Sequence, residues 1–160
     1  MSANFVSADA IPVAHTPLGG WSGDMPAAVL ASCTEPLVAG APDLRGTWRV
    51  ISVERGGQPA PADDPVYGHI QRVEQCGNRM VITGGHVVHD MRVDGTEENG
   101  VRDVAEFDLT TQIVVVATYE DGVHVLRPVG LPIEVTRRLE GEHMVWTYLN
   151  FIARLERINA

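Results

Sequence analysis

The sequence predicts an all-β fold: an antiparallel up-and-down barrel of about ten strands, with a short N-terminal helix and an extended N-terminal arm ahead of it. Three observations predict it. From Arg45 onward the chain breaks into short runs rich in Val, Ile, Thr and aromatic residues, each ended by Gly, Asn or Asp turn signals. Most of these runs are separated by only a few residues, a gap that antiparallel neighbours can span and parallel strands cannot. A meander of that length either exposes two edges or closes on itself, and closure is the simpler solution.

Residues 1–23 are rich in small residues, Pro and Gly and carry no usable periodicity, which reads as an extended arm. Asp24-Met25-Pro26 then reads as a helix start, with Asp24 as N-cap and Pro26 in the first turn. Ala27 to Cys33 can form two turns before Pro36 forbids continuation. A helix so short needs a barrel to pack against. Residues 1–43 are therefore assigned to arm and helix, and residues 44–160 to the barrel domain. An ordered arm would cap the barrel, with Trp21 as an anchor, or reach a neighbouring subunit in a homodimer.

The first strand runs from Thr47 to Arg55 and ends at Gly56-Gly57. A Pro/Ala/Asp-rich loop leads to Tyr67–Gln75, followed after Gly77-Asn78 by Arg79–Thr83 and after Gly84-Gly85 by His86–Arg92. The acidic turn Asp94–Gly100 precedes Arg102–Asp108. Asp121-Gly122, between Gln112–Glu120 and Val123–Pro128, is a strong signal for a two-residue hairpin. Leu131–Leu139, His143–Tyr148 and Phe151–Ile158 complete the meander. A barrel of this size is wide enough to hold one small ligand.

Composition narrows the function. A net charge of −9 argues against nucleic acid and against anionic membrane surfaces, since both need clustered basic residues. All twelve basic residues are arginines, which excludes Schiff-base chemistry on lysine and fits a GC-rich bacterial genome. No apolar run approaches membrane-spanning length. Cys33 and Cys76 form no CxxC pair, and no charged leader precedes Arg45, so the reading is a cytoplasmic protein with both thiols reduced.

No motif names a reaction. There is no nucleophile elbow, no Walker loop and no dinucleotide fingerprint. His86 and His89 are three apart, so on a regular strand they face opposite ways and cannot chelate one ion; no metal is expected. His69, Gln71, Val73 and Gln75 share one face of their strand against Ile70, Arg72 and Glu74, and either set can point inward. His124 and Arg127 lie on opposite faces of an apolar strand, so at most one faces the interior. An arginine inside a barrel must be paired or meet an anionic ligand.

The segment Gly46-Thr47-Trp48 resembles the Gly-x-Trp of the lipocalins, whose Trp plugs the closed end of the barrel. The stretch from Thr136 to Trp146 is similar to the penultimate hairpin of the fatty-acid-binding proteins. Those proteins close on a strand carrying Arg-x-Tyr that grips a ligand carboxylate; Arg154-Leu155-Glu156 stands in that place, with Glu156 where the Tyr would be. The strand count without an inserted helical lid looks more like the nitrobindin-like barrels, some of which bind haem through a His. These resemblances cover residues 44–158 and imply a cavity.

The expected function is binding of a small, largely apolar or aromatic molecule inside the barrel. The candidate ligand-binding residues are Tyr67, His69, His89, His124, Arg127 and Arg154. An alternative is a small barrel enzyme, such as an isomerase, cyclase or hydrolase, using a cavity His or Tyr with a carboxylate as general acid and base. No cofactor is expected for simple binding; haem is the alternative cofactor.

Overall fold

The structure, a computed structural model, describes residues 6–159. Residues 1–5 of the expected arm lie outside the described residues. Eleven antiparallel strands follow one another: β1 (Gly46–Arg55), β2 (Gln58–Pro59), β3 (Ile70–Cys76), β4 (Arg79–Gly84), β5 (Val87–Arg92), β6 (Val101–Ala105), β7 (Asp108–Glu120), β8 (Val123–Pro128), β9 (Val135–Glu140), β10 (His143–Thr147) and β11 (Ile152–Asn159). Their order in the sheet is β5-β4-β3-β1-β11-β10-β9-β8-β7-β6, with the short β2 folded back on β1. The sheet curls into a barrel that closes through β1 and β11, and β5 and β6 face each other across a seam with no ladder between them.

The turn chemistry explains the sharp hairpins. Asp121 and Gly122 both adopt positive φ between β7 and β8, the conformation that matches the twist of the flanking strands. β9 starts at Val135 and not at Leu131, because Leu131-Pro132 sit in a loop at the mouth of the barrel.

The interior core runs the length of the barrel. At its closed end Trp48 is fully buried, its indole N–H donates to the Leu44 carbonyl at 2.8 Å, and the Arg157 guanidinium lies 4.4 Å above its ring. Beside it Gln75 accepts from Leu44 N and donates to Pro42 O and Tyr119 Oη. Every polar group named at this end has a partner.

The arm corrects two expectations. Asp24–Cys33 forms no helix; the helical turn of the arm is a single 3-10 turn at Ala8–Ala10. The physical reason lies on the barrel wall. The Glu74 carboxylate accepts from the backbone N–H of Val29 (3.1 Å) and Leu30 (2.7 Å), while Arg72 donates to Pro26 O. These contacts supply the partners that a marginal helix would otherwise supply internally. The second correction concerns the thiols: Cys33 and Cys76 form a disulfide, so neither is free.

The arm lies along the outer face of β3, β4 and β5 and does not cap an open end. There it builds a second core from Ile11, Ala14, Trp21, Val29, Leu30 and Cys33 against Cys76, Val81 and Val88. This covering explains why β4 is buried along its whole length, on both faces, whereas β1 alternates between buried and exposed.

Candidate ligand cavity

A cavity of about 600 Å³ occupies the half of the barrel away from Trp48. Its wall is aliphatic over most of its area, with Ile82, Val101, Ile113, Val115, Leu126 and Val135 contributed by five strands. Alternation along each strand places these side chains inside. Towards the mouth the wall turns aromatic, with Tyr148 stacked on Phe151 at 5.3 Å and Phe107 edge-on to Tyr148. Phe107, Leu131 and Leu149 are each more than half exposed and rim the opening.

Polar groups converge around Arg137, which lines the cavity; Gln71 and His124 adjoin it without reaching the cavity wall. Arg137, on β9, is buried, and its Nε–H donates to Gln71 Oε1 at 2.8 Å. Its guanidinium stacks over the Trp146 ring at 5.0 Å, while Nη1 has no hydrogen-bond partner. Gln71 Nε2 and both ring nitrogens of His124 are likewise buried without partners. Burial holds the His124 imidazole down to about 3, helped by the positive charge of Arg137, so this ring is neutral. Burial also lowers Arg137, to about 10, with Glu106 and Tyr148 acting in the opposite direction. Tyr148 is pushed up to about 12 by burial and by Glu106. At neutral pH the arrangement is therefore a cation flanked by neutral donors.

A second polar pair sits beside it. His69 Nε2 and Glu106 Oε1 are 3.3 Å apart, both nearly buried, but not aligned for a hydrogen bond. The His69 ring stacks on Trp146 at 5.3 Å, and Glu106 lies on the cavity wall. Next to it Phe107 holds a positive φ of 68°, a strained conformation for a bulky residue.

The six residues singled out in the sequence divide. His69 and His124 belong to the two polar groups. His89 lines the cavity, with Nε2–H donating to Val104 O at 2.8 Å. Tyr67 packs against the core with its hydroxyl engaged by Ala60 O, and it is not on the cavity wall. Arg127 and Arg154 are outside: Arg127 pairs with Glu120 and Glu134, and Arg154 with Glu140. Their interior placement is corrected, because inward alternation selects His124, Leu126 and Pro128 on β8, and Ala153 and Leu155 on β11. Arg137, Gln71 and Glu106 were not among the candidates. The doublet Arg137-Arg138 held a signal, since two successive strand residues face opposite ways and one of them must point in.

Solved structures share this architecture. A zebrafish ileal bile-acid-binding protein complexed with cholic acid superposes with a TM-score of 0.54 at 16% identity, over 71% of this chain and 98% of its own. Human cRBP IV superposes with a TM-score of 0.54 at 14% identity, over 72% of this chain and 98% of its own. The chain shares the antiparallel up-and-down β-barrel fold of these two proteins. No protein-family model matches the chain, and no curated protein sequence matches it. Among the described residues no helix is long and apolar enough to cross a membrane, and no three His, Cys, Asp or Glu side chains group as metal ligands.

Proposed function

We propose that the protein binds a small, mostly apolar molecule in the barrel, with an anionic or acceptor-rich end held by Arg137, whose guanidinium Gln71 and His124 flank. One observation carries the reading: Arg137, a buried cation on the wall of an apolar cavity, has an Nη1 with no hydrogen-bond partner, and the Gln71 Nε2 and His124 ring beside it are unpartnered too. Buried polar groups are nearly always hydrogen-bonded, and a set of exceptions at a cavity marks where another molecule's acceptors fit. The neighbouring folds, one of them complexed with cholic acid, support an interior ligand. Titration with 1-anilinonaphthalene-8-sulfonate tests it, since that probe joins an apolar body to a sulfonate. Stoichiometric binding is expected, weakened at least about tenfold in Arg137→Met, the loss of one charge-assisted contact. Equal affinity in the variant would sink the reading.

A second reading rests on the His69–Glu106 pair. Glu106 is a carboxylate on an apolar wall, 3.3 Å from His69 Nε2, with Arg137 acting on it by charge. That arrangement can take a proton from a bound carbon acid while Arg137 supports the developing oxyanion. The probe 5-nitrobenzisoxazole, whose ring opens when a base removes its carbon-bound proton, reports this directly. For an enzyme, Glu106→Gln abolishes ring opening and leaves probe affinity nearly intact; for a binding protein, no ring opening above that of free carboxylate is seen.

Haem fits these residues less well. The cavity-lining His89 already has Nε2 engaged by Val104, and His124 is sealed beside a cation. Addition of haem is expected to give no new Soret band.

A further inference from the structure

The seam between β5 and β6 is the one break in the barrel's hydrogen bonding among the described strands, and the arm lies across it. On the β5 side, Ala14 N donates to Asp90 Oδ2 at 2.9 Å, and Val88 N donates to Thr16 Oγ1 at 2.9 Å. On the β6 side, Thr16 N donates to Asp103 Oδ2 at 2.9 Å. Two arm residues, Ala14 and Thr16, thus clasp both edges. Farther along, Trp21 takes the carbonyls of His86 through its backbone N–H and of Val87 through its indole N–H. On the β5 edge the Val88 N–H and the Val87 carbonyl, which a neighbouring strand would satisfy, are satisfied by the arm instead, while on β6 the arm holds the Asp103 carboxylate.

From inside, one side chain crosses the same seam: His89, donating to Val104 O. Ile82 and His89 line the cavity on one side of the seam, and Val101 and Ala105 on the other. Opening the seam therefore opens the cavity. Among its described residues the arm has no regular structure beyond its 3-10 turn, and a single covalent tie, Cys33–Cys76, fixes it to the end of β3.

We infer that the arm is a redox-latched strap over a side door to the ligand cavity, and that reducing Cys33–Cys76 speeds ligand exchange. The inference rests on the binding reading above and adds its regulation. A dithiol is the co-reactant. Its thiolate attacks the half-buried Cys33 sulfur and releases the Cys76 thiolate, which takes up a proton. The second thiol then closes on the mixed disulfide, leaving two cysteine thiols and the oxidised, cyclic reductant. In a reducing cytoplasm the strap would rest unlatched, and in an oxidising compartment latched.

Stopped-flow displacement of 1-anilinonaphthalene-8-sulfonate measures the exchange in oxidised protein, in dithiol-reduced protein, and in Thr16→Val with the disulfide intact. Association and dissociation are both expected to rise about tenfold on reduction with the equilibrium affinity nearly unchanged, because the latch changes access and not the bound contacts. Thr16→Val is expected to reproduce part of the rise without any change of redox state. Unchanged rates in both would overturn the strap and leave binding intact, with the rim of Phe107, Leu131 and Leu149 as the route. If the probe does not bind at all, the binding reading fails separately, and amide exchange decides the strap. Faster exchange at Ala14, Thr16 and Val88 on reduction supports it; unchanged protection there overturns it.

Discussion

Two arginines, Arg79 under the arm and Arg137 in the cavity wall, are each about 2% exposed, yet they do opposite things with their charge. Arg79 uses all of its donors: Nε and Nη2 reach the Asp90 carboxylate, Nη1 reaches the carbonyls of Ala8 and Ile11, and Nη2 also reaches Pro12 O. It is the polar centre of the arm's attachment, and nothing is left over for another molecule. Arg137 has one hydrogen bond, to Gln71, and an Nη1 facing no acceptor. Burial of a charge does not mark a binding site. Incompleteness does, because desolvating a charge is tolerated only when something else completes its shell.

The largest expected effect is at the completed site. Arg79→Met leaves the Asp90 carboxylate buried without its partner and should destabilise the fold by about 3–5 kcal/mol, read by urea unfolding of the oxidised protein. A loss under about 1 kcal/mol would mean that the arm is held by its apolar contacts alone. Next comes acid sensitivity at the incomplete site. The unfolded His124 imidazole titrates near 6.5 and the folded one at about 3. Between those values the unfolded chain binds a proton that the folded barrel refuses, so stability is full above about pH 6.5 and falls as pH drops towards 3, by a few kcal/mol. His124→Phe should flatten that part of a stability-against-pH curve; an unaltered slope would place the titration elsewhere.

Arg137→Met should move stability the other way from Arg79→Met. Removing a poorly satisfied buried charge is expected to be neutral or stabilising by about 1–2 kcal/mol in the ligand-free protein, while the anionic probe is lost. A destabilisation matching that of Arg79→Met would erase the contrast between the two sites. The smallest effect is on the outer wall. Arg127 is held by Glu120 and Glu134, which push its pKa up, but the group is solvent-exposed, and Arg127→Gln should leave the urea midpoint essentially where it is. Probe affinity should not move.

What could be read in advance follows the range of the physics involved. Strand after strand was legible because side-chain alternation and turn residues such as Asp121-Gly122 are properties of a few consecutive positions. The face-sharing of His69, Gln71, Val73 and Gln75, and the opposition of His124 to Arg127, came from the same local rule and match the structure. Which face is the inner one did not. That depends on how the whole sheet curls, so Arg127 and Arg154 looked as eligible as His124, and Arg137 went unmarked beside Arg138.

The arm shows the limit most sharply. Locally, Asp24 to Cys33 has the N-cap and the apolar run of a short helix, and alone nothing opposes that reading. On the barrel, Glu74, Arg72 and the Cys76 sulfur offer the same backbone and thiol better partners from 41 to 46 residues away. By itself the sequence determined an antiparallel barrel of short strands, because period and turn chemistry are written residue by residue. Only the tertiary structure decided which arginine was completed by the arm and which was left open to the cavity, because that choice is made by groups far apart in the chain competing for the same few buried partners.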